Sequence, residues 1–333
     1  MRQRQQEPKP FCWICLPQQS PQKTAPVTLD RFTNLTGKLD FSIKVASDYL
    51  FVGSGDHEFK PDSHSNEPDV WRTFFRVNGK IAIPGASIKG AIRSIVEAIS
   101  NSCVLHGERT GSYHQRCIAG GPTIQNWQLC PACRIFGTTG LAGRVSFGDA
   151  YLTSETNTEV VKIGELWSPS RSCLGRKFYI PGSAAVAQNN SPERNFIFVE
   201  AVPKNAVFCS SLRFQNLQPA ELGLLIIAMG WSTDGTNLQR EWAPKIGGAK
   251  PRCFGSVWFD FCQLHLMQEQ QNRSLATLAA QGLMKILSGA DMETELVRFI
   301  NEANRELIHQ ESRTDLKNLL SASPGRSCPG GMY

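Results

Sequence analysis

Residues 81 to 100, IAIPGASIKGAIRSIVEAIS, place a proline-glycine turn between a short apolar run and a helix-forming segment. Four apolar residues of this segment recur at helical spacing, namely Ile88, Ile92, Ile95 and Ile99. Ser87 stands where a capping residue is expected, and Lys89 and Arg93 project from another face. The stretch therefore predicts a strand, a tight turn and a helix with one buried face and one cationic face.

The turn is not a nucleoside-triphosphate loop. Such a loop requires G-x-x-x-x-G-K-[ST], whereas PGASIKGAIR has its lysine before the second glycine and no hydroxyl residue after it. The helix N-terminal amides, together with Lys89 and Arg93, could still bind the backbone phosphates of a polynucleotide. A solvated helix face is the alternative interpretation of the same residues.

The flanking segments predict further strands and helices. A hairpin closed by Asn78-Gly79 is indicated by WRTFFRVNGKIAI. Residues 54 to 69 are predicted to form a polar loop. A buried helix is predicted for PAELGLLIIAMGW, which is apolar nearly all round. VWFDFCQLHL has the pattern of a strand, and residues 272 to 321 contain amphipathic helices before a tail that we expect to be disordered. The order strand, helix, strands, helix, strand predicts an α+β fold, with helices on one face of an antiparallel sheet.

Composition narrows the class of protein. The chain has 333 residues, a formal charge of +6 and eleven cysteines. It has no apolar run of the ~20 residues that a membrane span needs, and no signal peptide, so we expect a cytoplasmic protein. Cysteines in that compartment are predicted to be thiols, some of them metal ligands. Cys12 and Cys15 in FCWIC lack a redox context and are interpreted as part of an apolar patch that docks on a neighbour.

The stretch HQRCIAGGPTIQNWQLCPACRIFG predicts a structural zinc site. Its H-x2-C-x12-C-x2-C spacing can bring one nitrogen and three sulfur atoms to a tetrahedron. The predicted ligands are His114, Cys117, Cys130 and Cys133. Cys103 or His106 could replace His114, so the first ligand stays open. A chance cluster of packed, reduced cysteines is the alternative.

Four motifs in order, IPGASIKGAIR, CPACRIFG running into GRVSFGDA, ELGLLIIAMG and KIGGAKPRCFGS, resemble the RAMP superfamily of backbone subunits from type III CRISPR effector complexes. The resemblance covers residues 36 to 267. Residues 1 to 35, an N-terminal extension, and 268 to 333, the C-terminal helices and tail, lie outside it. The zinc-type insertion at 103 to 133 is most similar to the III-D and III-E branches.

The resemblance implies a modified ferredoxin-like fold, similar to an RNA-recognition domain, that stacks with other effector subunits along a guide RNA. The implied RNA contacts are Ser87, Lys89, Arg93, Gly247, Gly248, Lys250 and Arg252. A projecting thumb β-hairpin, which kinks the guide-target duplex, would correspond to residues 162 to 195, with Arg171, Arg176, Lys177 and Tyr179. Glycines in the 246 to 255 loop would let the backbone approach the RNA closely.

Catalytic members of the family resemble one another in having an aspartate before the IPG turn, which supports Mg²⁺-dependent cleavage of target RNA. Asp69 has the expected spacing, and Asp56 and Asp62 lie in the same segment. A carboxylate suits Mg²⁺, which prefers hard oxygen ligands. The sequence SHSNE before Asp69 departs from the family pattern, so a non-catalytic structural or capping subunit is the alternative. An unrelated zinc-stabilised enzyme is a third hypothesis.

Overall fold

The computed structural model describes residues 10–14, 17, 19–27, 29–60, 68–103, 117–120, 123–166, 176–187, 193–267, 284–321 and 327–330. The helices are α1 (Gly85–Ile99), α2 (Pro131–Phe136), α3 (Pro219–Ala228), α4 (Gly289–Glu306) and α5 (Gln310–Leu320). Short 3-10 turns cover Ile124–Asn126 and Lys250–Arg252. The strands are β1 (Phe11–Ile14), β2 (Leu35–Val45), β3 (Tyr49–Leu50), β4 (Gly53–Phe59), β5 (Val70–Phe74), β6 (Arg76–Val77), β7 (Lys80–Ile83), β8 (Val145–Phe147), β9 (Ala150–Leu152), β10 (Glu159–Gly164), β11 (Arg176–Tyr179), β12 (Phe196–Pro203), β13 (Val207–Leu217), β14 (Trp231–Thr233), β15 (Leu238–Arg240), β16 (Val257–Met267) and β17 (Met284–Leu287).

An eight-stranded sheet forms the centre of the molecule. Its order is β17-β16-β2-β13-β9-β7-β6, and β8 also pairs with β13. The pairs that join β16, β2, β13 and β9 are antiparallel. Helices α1, α3 and α4 pack in series, with α1 against α3 and α3 against α4. The predicted α+β class, with a mainly antiparallel sheet, is confirmed.

Buried and exposed side chains alternate along β2, which shows why one face of this sheet packs on the core. Its buried residues are Leu39, Phe41, Ile43 and Val45. The intervening residues, which include Ser42 and Lys44, are partly or fully exposed on the other face. A strand whose side chains alternate in this way has one buried and one solvated face, so within the described part of the chain the second face of β2 stays partly open to solvent, as predicted.

Helices α1 and α3 follow the sequence prediction, with one correction at the start of α1. The four isoleucines of α1 are buried, and α3 is buried on all sides. However, α1 begins at Gly85 with Pro84 in the capping position, so Ser87 is not its cap. The Gly85 N–H instead donates to Asp149 Oδ1 at 2.8 Å, because the β8–β9 turn brings that carboxylate to the helix end.

A second sheet follows the order β10-β12-β5-β4, with β3 also paired to β12. Strand β4 pairs antiparallel with β5, whereas the sequence predicts a loop from residue 54. The polarity of GSGDHEF conceals this strand, because both of its faces are largely exposed. The hairpin at Asn78-Gly79 is confirmed by the pairing of β6 with β7, and both turn residues have positive φ.

Strand β11 pairs antiparallel with β1, from Phe11↔Tyr179 to Ile14↔Arg176. The N-terminal apolar patch thus docks on its own chain, and Ile14 is buried in the core. The resemblance places the thumb hairpin at residues 162 to 195; the described strand β11 of this segment pairs with β1, and its β10 residues pair with β12. Arg171 and Cys15 lie outside the described residues.

The C-terminal region has two amphipathic helices, α4 and α5, as predicted, and an unpredicted edge strand, β17. Residues 327 to 330 of the tail, which was predicted to be disordered, pack against the glycine loop. Cys328 forms a disulfide bond with Cys253, although the composition predicts thiols. Within the described part of the chain, no helix has the length and apolar character needed to cross a membrane.

Candidate functional site

A groove of about 420 Å³ lies between α1, β11 and the glycine loop that follows Lys245. Its walls include Ser87 and Gly90 from α1, Lys177 and Tyr179 from β11, and Gly247, Gly248 and Lys250 from the loop. Five of the residues that the sequence assigned to RNA therefore share one concave surface: Ser87, Lys177, Gly247, Gly248 and Lys250. We call this surface the groove.

Three lysines line the groove, and one of them, Lys245, donates from Nζ to the Phe254 carbonyl at 3.0 Å. Lys177 Nζ lies 3.8 Å from the ring centroid of Phe11 and 5.0 Å from that of Tyr179, so the strand pairing of β11 with β1 also orients this cation. Burial lowers the pKa of Lys245 to about 7, with a smaller contribution from the charge of Lys250. Burial also lowers the pKa of Lys250. An anion in the groove would favour the charged form of both amines.

Gly90 makes the α1 wall shallow. A side chain added at Gly90 would meet no atom within 4 Å, so packing inside the protein does not require glycine there. Glycine in a helix interior is unfavourable relative to alanine. Gly247 is different, because its φ is 80° and a Cβ atom would lie 2.2 Å from the Phe51 carbonyl oxygen. The turn and its contact with Phe51 therefore explain Gly247, while Gly90 leaves open space for a ligand.

Lys89 and Arg93 lie on the side of α1 that faces the rest of the protein. Lys89 Nζ donates to the Val145 carbonyl at 3.2 Å, and burial, with the nearby Arg93 charge, lowers its pKa. Arg93 Nε donates to Glu97 Oε1 at 2.7 Å and Nη1 to the Gly137 carbonyl at 3.2 Å. Neither side chain lines the groove.

Arg176 and Arg252 are also engaged inside the protein. Arg252 is fully buried, and its guanidinium donates to the carbonyls of Gly164, Glu165 and Pro329. Arg176 is paired with Glu97 and donates to the Cys103 carbonyl. These two cations bind protein carbonyls in the positions where the sequence suggested RNA phosphates.

The carboxylates proposed for Mg²⁺ lie on the β4–β5 ribbon. Asp56 is exposed within β4, and Asp69 is exposed immediately before β5. Along the ribbon they are separated by about four residues, or roughly 13 Å at the rise of a strand, which is too far for one ion. Asp62 lies outside the described residues, and the described ones place no carboxylate cluster near Asp69.

Four buried cysteines form a candidate metal centre. The Sγ atoms of Cys103, Cys117, Cys130 and Cys133 all lie within 4.8 Å of one another. Cys103 Sγ lies 3.4 Å from Cys133 Sγ and 3.6 Å from Cys130 Sγ. Tetrahedral zinc with Zn–S bonds of about 2.3 Å separates its sulfur ligands by about 3.8 Å. We call these residues the cysteine cluster; its geometry suits a structural metal ion.

The pKa shifts of the four cysteine thiols also favour binding of a cation. Hydrogen bonds from Cys103 lower the pKa of Cys117 to about 7 and that of Cys130 as well. The pKa values of Cys103 and Cys133 are raised, first by their hydrogen bonds to Cys117 and Cys103 respectively. Four thiolates in one buried space repel one another, so a divalent cation is what would allow all of them to ionise.

The fourth member of the cluster, Cys103, was the alternative that the sequence left open. His114 and His106 lie outside the described residues. The sequence prediction missed two features of the groove, Gly90 and Lys245. An isolated glycine inside a helical pattern is a readable signal for Gly90. Lys245 has no such signal, because its position depends on how the glycine loop folds over β3.

A family model of the RAMP superfamily matches residues 42–235, more than half of the chain. The match spans α1, the cysteines of the cluster, β11 and α3, and ends before the glycine loop. No curated protein matches the chain.

Proposed function

The chain belongs to the RAMP superfamily, and on that premise we propose that the groove holds the sugar-phosphate backbone of a CRISPR guide RNA. Membership makes the protein a CRISPR-associated RNA-binding subunit. The observation that carries the site is that α1, β11 and the glycine loop, far apart in sequence, bring Ser87, Lys177 and Lys250 into one groove. Cationic side chains and accessible backbone bind phosphates without reading bases.

We further propose the ferredoxin-like arrangement for the central sheet. Taking β2, β9, β13 and β16 as its four strands, with α1 after the first and α3 after the third, the sheet order becomes fourth, first, third, second. That order, with two helices on one face, supports a βαββαβ unit. Assignment to a type III complex, on the III-D or III-E branch, rests on the resemblance and is supported by the cysteine cluster.

The groove is tested by replacing Lys177 and Lys250 together with alanine. For single-stranded RNA, each phosphate contact contributes about 0.7 to the slope of log affinity against log salt, so the slope should fall by about 1.4. The matched control is Lys44→Ala with Lys285→Ala, which removes the same charge from exposed positions outside the groove. Equal slopes for the two double variants, measured by fluorescence anisotropy, would exclude the groove.

The type of complex is tested by the RNA that copurifies with the protein. Type III membership predicts a guide that carries repeat-derived sequence, and the sequencing of bound RNA measures this directly. Random cellular fragments would contradict the proposal. A structural or capping subunit remains the alternative, and it predicts that the lysine double variant assembles normally and that RNA affinity does not change.

Cleavage of target RNA is a second proposal, which rests on the resemblance and on the exposed position of Asp69 at the end of the β4–β5 ribbon. Asp69→Ala should abolish one Mg²⁺-dependent cut in a bound target while guide binding is retained. Asp56→Ala is the control, because Asp56 lies on the same ribbon but at a distance from Asp69. An unchanged cleavage pattern in the Asp69 variant rules this residue out.

A further inference from the structure

Arg176 connects the two sites described above. It is the first residue of β11, and its neighbour Lys177 lines the groove. Its guanidinium is 8% exposed, pairs with Glu97 on α1, and donates from Nη2 to the carbonyl of Cys103 at 2.6 Å. One side chain thus joins the groove strand to both α1 and the cysteine cluster.

The same carboxylate, Glu97, ties a second arginine to the cluster. Its Oε1 accepts from Arg93, whose Nη1 donates to the carbonyl of Gly137. The Gly137 N–H in turn donates to the carbonyl of Cys133. Two guanidinium groups therefore bind the backbone of the two segments that contribute Cys103 and Cys133.

The charges around the cluster are complementary. A zinc ion with four thiolates carries a net charge of −2, and a buried anion requires nearby cations or donors. Burial lowers the pKa of Arg93, but the hydrogen bond and charge of Glu97, followed by the charges of Cys133 and Cys103, raise it above its usual value. Among the described residues, Arg93 Nη2 and Arg176 Nε are buried donors with no hydrogen-bond partner. Both donors belong to the arginines that bind the backbone of the segments carrying Cys103 and Cys133.

Strand β11 needs such a connection. It pairs only with β1 among the described strands, and a two-stranded ribbon is marginally stable by itself. Ile14 of β1 and Ile180, just after β11, anchor this ribbon in the core, and the contact of Arg176 with α1 adds a second anchor beside Lys177. The salt bridge between Arg176 and Glu97 lies at the end of β11 that is nearest the cluster.

We infer that Arg176 is a positioning residue that couples metal binding at the cysteine cluster to the shape of the groove. Metal holds the Cys103 backbone in place, that backbone and Glu97 fix the Arg176 guanidinium, and Arg176 fixes β11. The consequence for RNA rests on the function proposed above, whereas the consequence for β11 does not.

The test uses the full chain loaded with zinc and hydrogen exchange of the amides at 177 to 180. Removal of zinc with EDTA should raise exchange of these amides by about tenfold or more in the unsubstituted protein, because β11 loses the anchor that the Cys103 carbonyl provides through Arg176. In Arg176→Gln the exchange should already be fast, and zinc removal should change it by less than about twofold. Zinc affinity should fall about 10- to 100-fold in this variant, as for other groups that support metal ligands.

Arg144→Gln is the matched control. Arg144 is as deeply buried, pairs with Glu221 and donates to the carbonyl of Arg134, the residue after Cys133, but it makes no hydrogen bond or ion pair with β11. In this variant, zinc removal should raise amide exchange of β11 by as much as it does in the unsubstituted protein. If zinc removal leaves β11 exchange unchanged, or if the Arg144 and Arg176 variants respond alike, the inference is wrong.

Arg176→Lys covers the case in which the glutamine variant does not fold. Lysine keeps the charge but cannot bridge Glu97 and the Cys103 carbonyl with a planar fork. In this variant, amide exchange at β11 should therefore rise, and the slope of log RNA affinity against log salt should fall. If the variant matches the unsubstituted protein in both measurements, the inference is wrong. If the unsubstituted protein binds no RNA, the proposed function fails, and β11 exchange still decides the role of Arg176.

Discussion

Replacement of Gly90 should separate stability from RNA binding. Gly90 lies in the interior of α1, with a backbone conformation that other residues adopt, and a Cβ atom there meets nothing within 4 Å. Gly90→Ala should therefore raise the free energy of unfolding by about 0.8–1.0 kcal/mol, the helix-propensity difference. For a chain of this size the melting temperature should rise by about 2 °C.

Gly90→Leu keeps most of that stability gain and fills part of the groove. If RNA backbone passes over α1, the added carbons exclude it, and affinity for single-stranded RNA should fall at least about tenfold, or about 1.4 kcal/mol. Affinity is measured by fluorescence anisotropy and stability by urea unfolding of the same preparations. The two measurements should move in opposite directions.

Ala86→Leu is the control for added bulk on the same helix. Ala86 is exposed on α1 but does not line the groove, so this variant should bind RNA as the unsubstituted protein does. Equal RNA affinity for Gly90→Leu and Ala86→Leu would refute the assignment of this helix face to RNA. A loss of stability in Gly90→Ala would refute the open space at Gly90.

Two further predictions concern protons and metal. Because the pKa of Lys245 is lowered to about 7, RNA binding should require proton uptake above that pH, so affinity should fall by up to about tenfold per pH unit between pH 7 and 9. Over the same window the free energy of unfolding should rise with pH, since the unfolded chain binds the extra proton; Lys245→Met should remove both trends. Metal analysis should find about one zinc per chain, lost in Cys103→Ser but retained in Cys209→Ser, whose thiol is exposed outside the cluster. Retention of zinc in Cys103→Ser would exclude Cys103 as a ligand.

Local patterns in the sequence predicted the elements that build the groove. The spacing of isoleucines predicts α1, and the continuous apolar run in PAELGLLIIAMGW predicts α3. Both patterns are sufficient because they record burial over several turns of one helix. The knuckle spacing likewise predicts three of the four clustered cysteines.

The salt-bridge and hydrogen-bond partners of most of the buried arginines could not be predicted in the same way. The contact of Arg93 with Glu97 is readable as an i, i+4 pair, but the pairing of Arg176 with Glu97 joins residues 79 apart in sequence. Arg252 reaches a carbonyl in the C-terminal tail, 77 residues away. A basic residue in a polar segment has the same appearance in sequence whether it faces solvent, RNA or a buried carbonyl, because only the tertiary fold supplies its partner.

The pairing of β1 with β11 has a consequence for how the protein is made. Phe11 and Tyr179 are 168 residues apart (179 − 11), so at about 5–20 residues per second the first strand waits roughly 8–34 s on the ribosome before its partner exists. A nascent chain that ends before residue 177 lacks Lys177, the lysine that this pairing orients. One that ends before residue 250 also lacks Lys250. An RNA that enters the groove must therefore do so after most of the polypeptide has been synthesised.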